Sequence, residues 1–231
     1  MSEERVALVT GAARGIGAAT VRELRTRGLR VVAVDSCLGD DRERTHVGYP
    51  LATLAELEAV AAGDDGVRAA VCDVRDETGL RMAAQTFDRL DVVVAAAAVI
   101  AGGQPLWETP SEDLQQLWQV DAMGMWRTAA ATVPLMLAGP DPSGCRFVGV
   151  ASVAGSRGLF HLGAYTMVKH AVVGLVRGLA ADLTGTGVVA VAIAPGATRT
   201  AMLDATAALY GLDDTAQLAA NGLGRVLEPA E

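Results

Sequence analysis

A tyrosine and a lysine stand four residues apart at Tyr165 and Lys169, and Ser152 precedes the tyrosine by thirteen. On a helix, positions i and i+4 share one face, so the ammonium would lie near the phenol and favour its ionised form. A serine hydroxyl brought to the same place binds the oxygen of an alcohol or carbonyl, whose proton the tyrosine then gives or takes. Such a trio suits hydride chemistry, provided a nucleotide cofactor is held nearby. The run Thr10-Gly11-Ala12-Ala13-Arg14-Gly15-Ile16-Gly17 offers a place for one. It follows an apolar strand and opens a helix, so its glycines would let backbone N–H groups approach a pyrophosphate at the positive end of that helix. Asp35 ends the next apolar run, where a carboxylate accepts hydrogen bonds from an adenosine ribose and repels a 2'-phosphate, favouring NAD over NADP. Arg14 in the loop pulls weakly the other way. Asp73 and Val74 close the third run, as an adenine contact or as a simple turn.

Positioning these groups requires a sheet. Six apolar runs, Val6-Thr10, Val31-Asp35, Val67-Asp73, Asp91-Ala97, Arg146-Ala151 and Val188-Ala194, alternate with helical patterns at Ile16-Arg27, Glu77-Arg89, Ser111-Leu137 and Tyr165-Leu183. Strands that are continuously apolar are buried on both faces, which predicts a parallel, doubly wound α/β sheet of Rossmann type in a single domain, residues 1–231. The stretch from Asp35 to Asp73 is long, with a polar loop, the segment Tyr49-Pro50-Leu51-Ala52-Thr53 and a short helix near Leu54-Ala62. Gly224-Pro229 reads as the entry to a further helix.

Composition narrows the partners. A formal net charge of −8 argues against nucleic acid and against an anionic membrane surface. The most apolar run, Val92 to Gly103, falls short of the roughly 20 residues that span a bilayer. The acidic start MSEERVALVT does not read as a secretory signal, which predicts a cytoplasmic chain. Cys37, Cys72 and Cys145 are odd in number and far apart, which fits reduced thiols rather than disulfides or a metal site.

With these motifs in place, the sequence resembles the short-chain dehydrogenase/reductase family over nearly its whole length. The resemblance implies a cofactor loop at Gly11, Arg14, Gly15, Ile16 and Gly17, with further NAD contacts from Asp35, Asp73, Val74, Ala97, Tyr165 and Lys169. It implies a catalytic trio of Ser152, Tyr165 and Lys169, and a segment, Pro195, Gly196, Thr198 and Thr200, that holds the carboxamide and hinges a substrate lid over 197–222. It also implies a homodimer or homotetramer built on the helices carrying Trp118, Trp126 and Tyr165. Three departures stand out. Ala95-Ala98 replaces the family's Asn-Asn-Ala-Gly, so side-chain bonds bracing the sheet centre are expected to be missing. Asp121 stands where the family has a catalytic Asn, and a carboxylate near Lys169 would alter the proton relay. The family's last helix and strand are not found before Glu231, which would leave the sixth strand with a bare edge.

Within the family, the insertion at residues 36–66, its Tyr49-Pro50-Leu51-Ala52-Thr53 stretch and the alanine run resemble the mycofactocin-coupled branch, in which such an insertion covers the bound NAD and a peptide-derived carrier collects the electrons; the other reading is an elongated surface loop. Val153, Phe160, His161, Met202 and Leu203, with Trp107, Gly158 and Tyr210, are candidates to face the substrate, and their apolar character favours a hydrophobic alcohol or ketone. For His161, packing or solvent contact is the other possibility. Three functions follow: an NAD-dependent alcohol dehydrogenase with captive cofactor, a carbonyl reductase using free NADH, or a non-catalytic dinucleotide sensor.

Overall fold

Strands without a polar face need cover on both sides, and the chain supplies it at the centre of the sheet but not at its edges, where Val71 on one side and Val189, Val191 and Ile193 on the other stand exposed. The computed structural model describes residues 4–213, 215–221 and 224–231. Six strands, β1 (Val6–Thr10), β2 (Arg30–Asp35), β3 (Val67–Val71), β4 (Val92–Ala95), β5 (Arg146–Val150) and β6 (Val189–Ile193), form one parallel sheet in the order β3-β2-β1-β4-β5-β6. Leu8 pairs with Val32 on one side and Val93 on the other. Alternate residues of β1 enter opposite cores. Ala7 and Val9 pack with Val21 of α1 (Gly15–Thr26) and Leu57 of α3 (Leu54–Ala61), whereas Val6 and Leu8 pack with Leu80 of α4 (Glu77–Ala84), Met136 of α6 (Met123–Ala138) and Val176 of α7 (Gly163–Asp182). A short α2 (Arg42–Thr45) lies in the segment before α3, and α8 (Ala201–Leu209) follows β6. The doubly wound fold is as expected.

Several element bounds differ from expectation. The helix expected over Ser111-Leu137 is α5 (Ser111–Leu117) and α6, separated by a π turn at Trp118–Ala122. π turns insert one residue into a helix and cluster at functional sites. α4 stops at Ala84 rather than Arg89. β4 ends at Ala95 because the next two amides, Ala96 and Ala97, leave the ladder to donate to the Thr10 hydroxyl at 3.1 and 3.3 Å. The alanine side chains make no hydrogen bond, and the Thr10 hydroxyl braces the backbone beside them. Gly224-Pro229 is not a helix entry; Leu227 bridges Thr198 in parallel, with Arg199 N donating to the Leu227 carbonyl at 2.8 Å.

Strand order reverses between β1 and β4, which opens a crevice at the carboxyl ends of the strands. Among the described residues, no helix is long and apolar enough to cross a membrane.

Candidate active site

At one end of the crevice, β1 turns into α1 through a backbone too tight for side chains. Gly11 has φ +66°, and a Cβ there would stand 2.8 Å from the Ala97 Cα. A Cβ on Gly17 would fall 2.0 Å from the Gly11 carbonyl oxygen. α1 begins with no side-chain cap and no acid in its first turn, so its leading N–H groups remain for an anion. Asp35 closes β2 beside it, accepting from Ala13 N at 3.1 Å and Cys37 N at 3.2 Å. A carboxylate has about four acceptor positions, so capacity for ribose hydroxyls is left. Burial pushes the Asp35 carboxyl up, and those amides together with Arg14 pull it back. Asp73 is held low: burial works against its charge, yet the Arg75 guanidinium, 2.6 Å away, and the Arg75 amide outweigh it.

The other end carries the reactive groups. Ser152 follows β5 and caps a short turn, its Oγ accepting from Ala154 N at 3.1 Å. Tyr165 and Lys169 lie on the buried face of α7. The Lys169 Nζ is 5.5 Å from the centre of the tyrosine ring and 3.0 Å from Asp121 Oδ2. Asp121 comes from the π turn, and its Oδ1 accepts from Val99 N at 2.9 Å. Both members of this ion pair are at most 2% exposed. Burial works against the lysine charge, but Asp121 and Tyr165 hold the ammonium above its usual value. Tyr165 is pushed up by burial and by Asp121, against the pull of Lys169 and a hydrogen bond with Ser152.

One cavity of about 1020 Å³ joins the two ends, within the size range of cofactor and substrate sites. Gly11, Arg14, Gly15, Ile16, Gly17, Asp35, Asp73, Val74, Ala97, Pro195, Gly196, Thr198 and Thr200 line it, as do Ser152, Tyr165 and Lys169. Val153, Phe160, Met202, Leu203 and Tyr210 line its apolar end. Asp121 does not; it lies behind the wall, in contact with Lys169 and the amide of Val99, both of which line the cavity. His161 does not line it either. Its ring stacks on Phe160 with centroids 3.7 Å apart and faces a neighbouring hollow of about 270 Å³ with Trp107 and Leu106. Phe160, an exposed ring, lines both the cavity and this hollow, whereas His161, with φ +52°, lines the hollow alone. Of the span 197–222, residues 214 and 222 lie outside the described residues.

The segment after Asp35 reaches much farther than a ribose contact requires. The Tyr49 hydroxyl accepts from Ile100 N at 3.2 Å, and Tyr49 and Leu51 line the cavity. Arg14 donates to the Pro50 carbonyl at 3.0 Å and lies 3.7 Å from Glu56, while Arg75 donates to the Arg44 carbonyl at 3.2 Å. Burial pushes the Tyr49 phenol well up. Sequence reasoning marked the stretch Tyr49-Pro50-Leu51-Ala52-Thr53 but gave its tyrosine no role of its own.

Glycine loop, strand-end carboxylate and a Ser-Tyr-Lys set in one crevice define an oxidoreductase of the doubly wound, dinucleotide-binding class. The short chain dehydrogenase family model matches residues 5–209, and the chain belongs to that family. It is similar to an uncharacterized NAD-dependent oxidoreductase of Mycobacterium tuberculosis, 37% identical over 208 residues, covering 87% of this chain and 74% of the relative. A (-)-trans-carveol dehydrogenase of Rhodococcus erythropolis is 36% identical over 189 residues, 78% of this chain and 66% of that protein. A crystal structure of carveol dehydrogenase from Mycobacterium avium in complex with NAD superposes with a TM-score of 0.87 at 27% identity, covering 98% of this chain and 87% of the other.

Proposed function

We propose that the chain is an NAD-dependent alcohol dehydrogenase that interconverts a hydrophobic alcohol and its carbonyl, with NAD retained beneath residues 36–66 and re-oxidised in place by mycofactocin. The observation that carries this reading is the single cavity, with the glycine loop and Asp35 at one end and Ser152, Tyr165 and Lys169 at the other. The loop fits a pyrophosphate, since Cβ atoms at Gly11 or Gly17 would collide with backbone, and the uncapped start of α1 favours an anion. Asp35 would bind the ribose and exclude a 2'-phosphate, and Arg14 is engaged by Pro50 and Glu56 rather than left for one. When bound, NAD supplies the hydride acceptor or donor. Ser152 Oγ holds the substrate oxygen, Tyr165 Oη moves its proton, and Lys169 lies beside the phenol. Phe160, Met202 and Leu203 give this end of the cavity an apolar wall that favours an apolar substrate, consistent with the carveol dehydrogenases among the similar proteins.

The lid over 197–222, a cytoplasmic location and a homodimer or homotetramer belong to the same proposal. Assembly is supported by Trp126, 60% exposed on α6, and Met167, exposed on α7. Substitution Tyr165→Phe should lower turnover by about 10²–10⁴ while leaving NAD bound. Comparable turnover in the variant would sink the reading. Nucleotide released by denaturing dialysed protein tests retention: near-stoichiometric NAD is expected, and freely exchanging nucleotide would favour an ordinary carbonyl reductase using free NADH.

A further inference from the structure

The ion pair under the catalytic tyrosine changes what that tyrosine does. A lysine near a phenol ordinarily favours phenolate through its positive charge. Here the Lys169 Nζ is 3.0 Å from a carboxylate, and both groups are buried, so the charge offered to Tyr165 is largely cancelled. The carboxylate is fixed from behind by Val99 N, so it cannot swing away without stranding a buried amide. The other groups acting on Tyr165 are few among the described residues. Ser152, after β5, donates a neutral hydroxyl contact, and Tyr49, from the covering segment, is a neutral phenol. His161 faces the neighbouring hollow.

We propose that Asp121 is a positioning residue that neutralises Lys169, so that the site keeps Tyr165 as a phenol, a proton donor, through neutral pH. The inference rests on the reading of Tyr165 as the proton-transfer group. In reduction the Tyr165 O–H bond breaks as the carbonyl oxygen takes the proton and the phenolate regains one from solvent; a reduced nicotinamide, when bound, would supply the hydride to the carbonyl carbon. In oxidation the phenolate is needed first, so that direction speeds up with pH. Below the pH at which Tyr165 ionises, kcat/KM for alcohol oxidation should rise about tenfold per pH unit, while reduction is already at full rate.

The chain has three tyrosines, so the near-ultraviolet tyrosinate band of wild type minus that of Tyr165→Phe isolates Tyr165 without any substrate. In wild type this ionisation is expected above the roughly 10 of a free tyrosine, or not before the protein unfolds. In Asp121→Asn, whose amide oxygen still accepts from Val99 N, it should come about one pH unit lower or more. Coincident titrations in wild type and variant, or a wild-type ionisation below that of free tyrosine, would overturn the proposal. If Asp121→Asn does not fold, the wild-type position alone decides. Failure of the underlying reading shows separately: Tyr165→Phe would then keep its turnover of whichever alcohol in a screened panel the wild type oxidises with an artificial electron acceptor.

Discussion

Replacing Tyr49 by Phe isolates the covering segment from the rest of the site. The substitution keeps the ring and removes one oxygen, which accepts from Ile100 N at 3.2 Å. Ile100 is 3% exposed, so its amide finds no water in the closed state. A neutral hydrogen bond contributes a net of about 0.5–1.5 kcal/mol, and a stranded buried donor costs about 1–3 kcal/mol. The segment's other side-chain attachments, Arg14 with Glu56 and the Pro50 carbonyl and Arg75 with the Arg44 carbonyl, are exposed and contribute about 1 kcal/mol each, so the part-buried tyrosine bond is the tie best shielded from water. Opening of the segment should thus become easier by about 1–2 kcal/mol, a factor of roughly 5–30. The assay is exchange of bound NAD against labelled NAD, followed by rapid desalting, in wild type and Tyr49→Phe. Turnover is a poor readout, because Tyr49 also lies near Tyr165. Faster exchange by that factor, with an unchanged melting profile, is expected. Equal exchange rates in two folded proteins would mean that residues 36–66 do not gate the nucleotide, and the captive-cofactor reading would fall with them.

Gly17→Ala forces a Cβ to within 2.0 Å of the Gly11 carbonyl oxygen, so the loop must shift. A destabilisation of about 1–3 kcal/mol is expected, read as a melting temperature lower by about 2–4 °C per kcal/mol, together with weakened NAD binding in calorimetry. Asp35→Ser removes the charge that would repel a 2'-phosphate, and the ratio of NADP to NAD affinity should rise about tenfold or more by competitive titration. An unchanged ratio would place the ribose elsewhere. Trp126→Glu puts a charge on an exposed ring position of α6 and should yield smaller species in sedimentation without lowering thermal stability.

Much of this was legible in advance for a physical reason. Strands such as Val31-Val34 are apolar on every residue, which only a sheet covered on both faces tolerates, and the six strands lie where that pattern put them. The glycine loop was legible because close backbone approach admits only glycine. Tertiary choices were not. Phe160 reaches both the cavity and the neighbouring hollow while the ring stacked on it, His161, reaches only the hollow, and the hydropathy of neighbouring residues carries no trace of that split. The Thr10 hydroxyl meets the amides of the alanine run, a partnership between residues 86 positions apart that local pattern does not reveal. A carboxylate beside Lys169 was foreseeable from alignment to the family motif, but its second bond, to Val99 N, depends on the fold.

The π turn has a consequence for anyone transplanting helices between relatives. Asp121 meets Lys169 from within the π turn Trp118–Ala122, where the chain carries one residue more than an α-helical path needs. Deleting one residue there would restore an unbroken α-helix and rotate everything on one side of the deletion by about 100° relative to the other. A different side chain would then meet the lysine, although no residue of the site had been substituted. The charge state of the active site is thus written partly in segment length, and a chimera spliced between residues 111 and 138 must preserve the count as well as the letters.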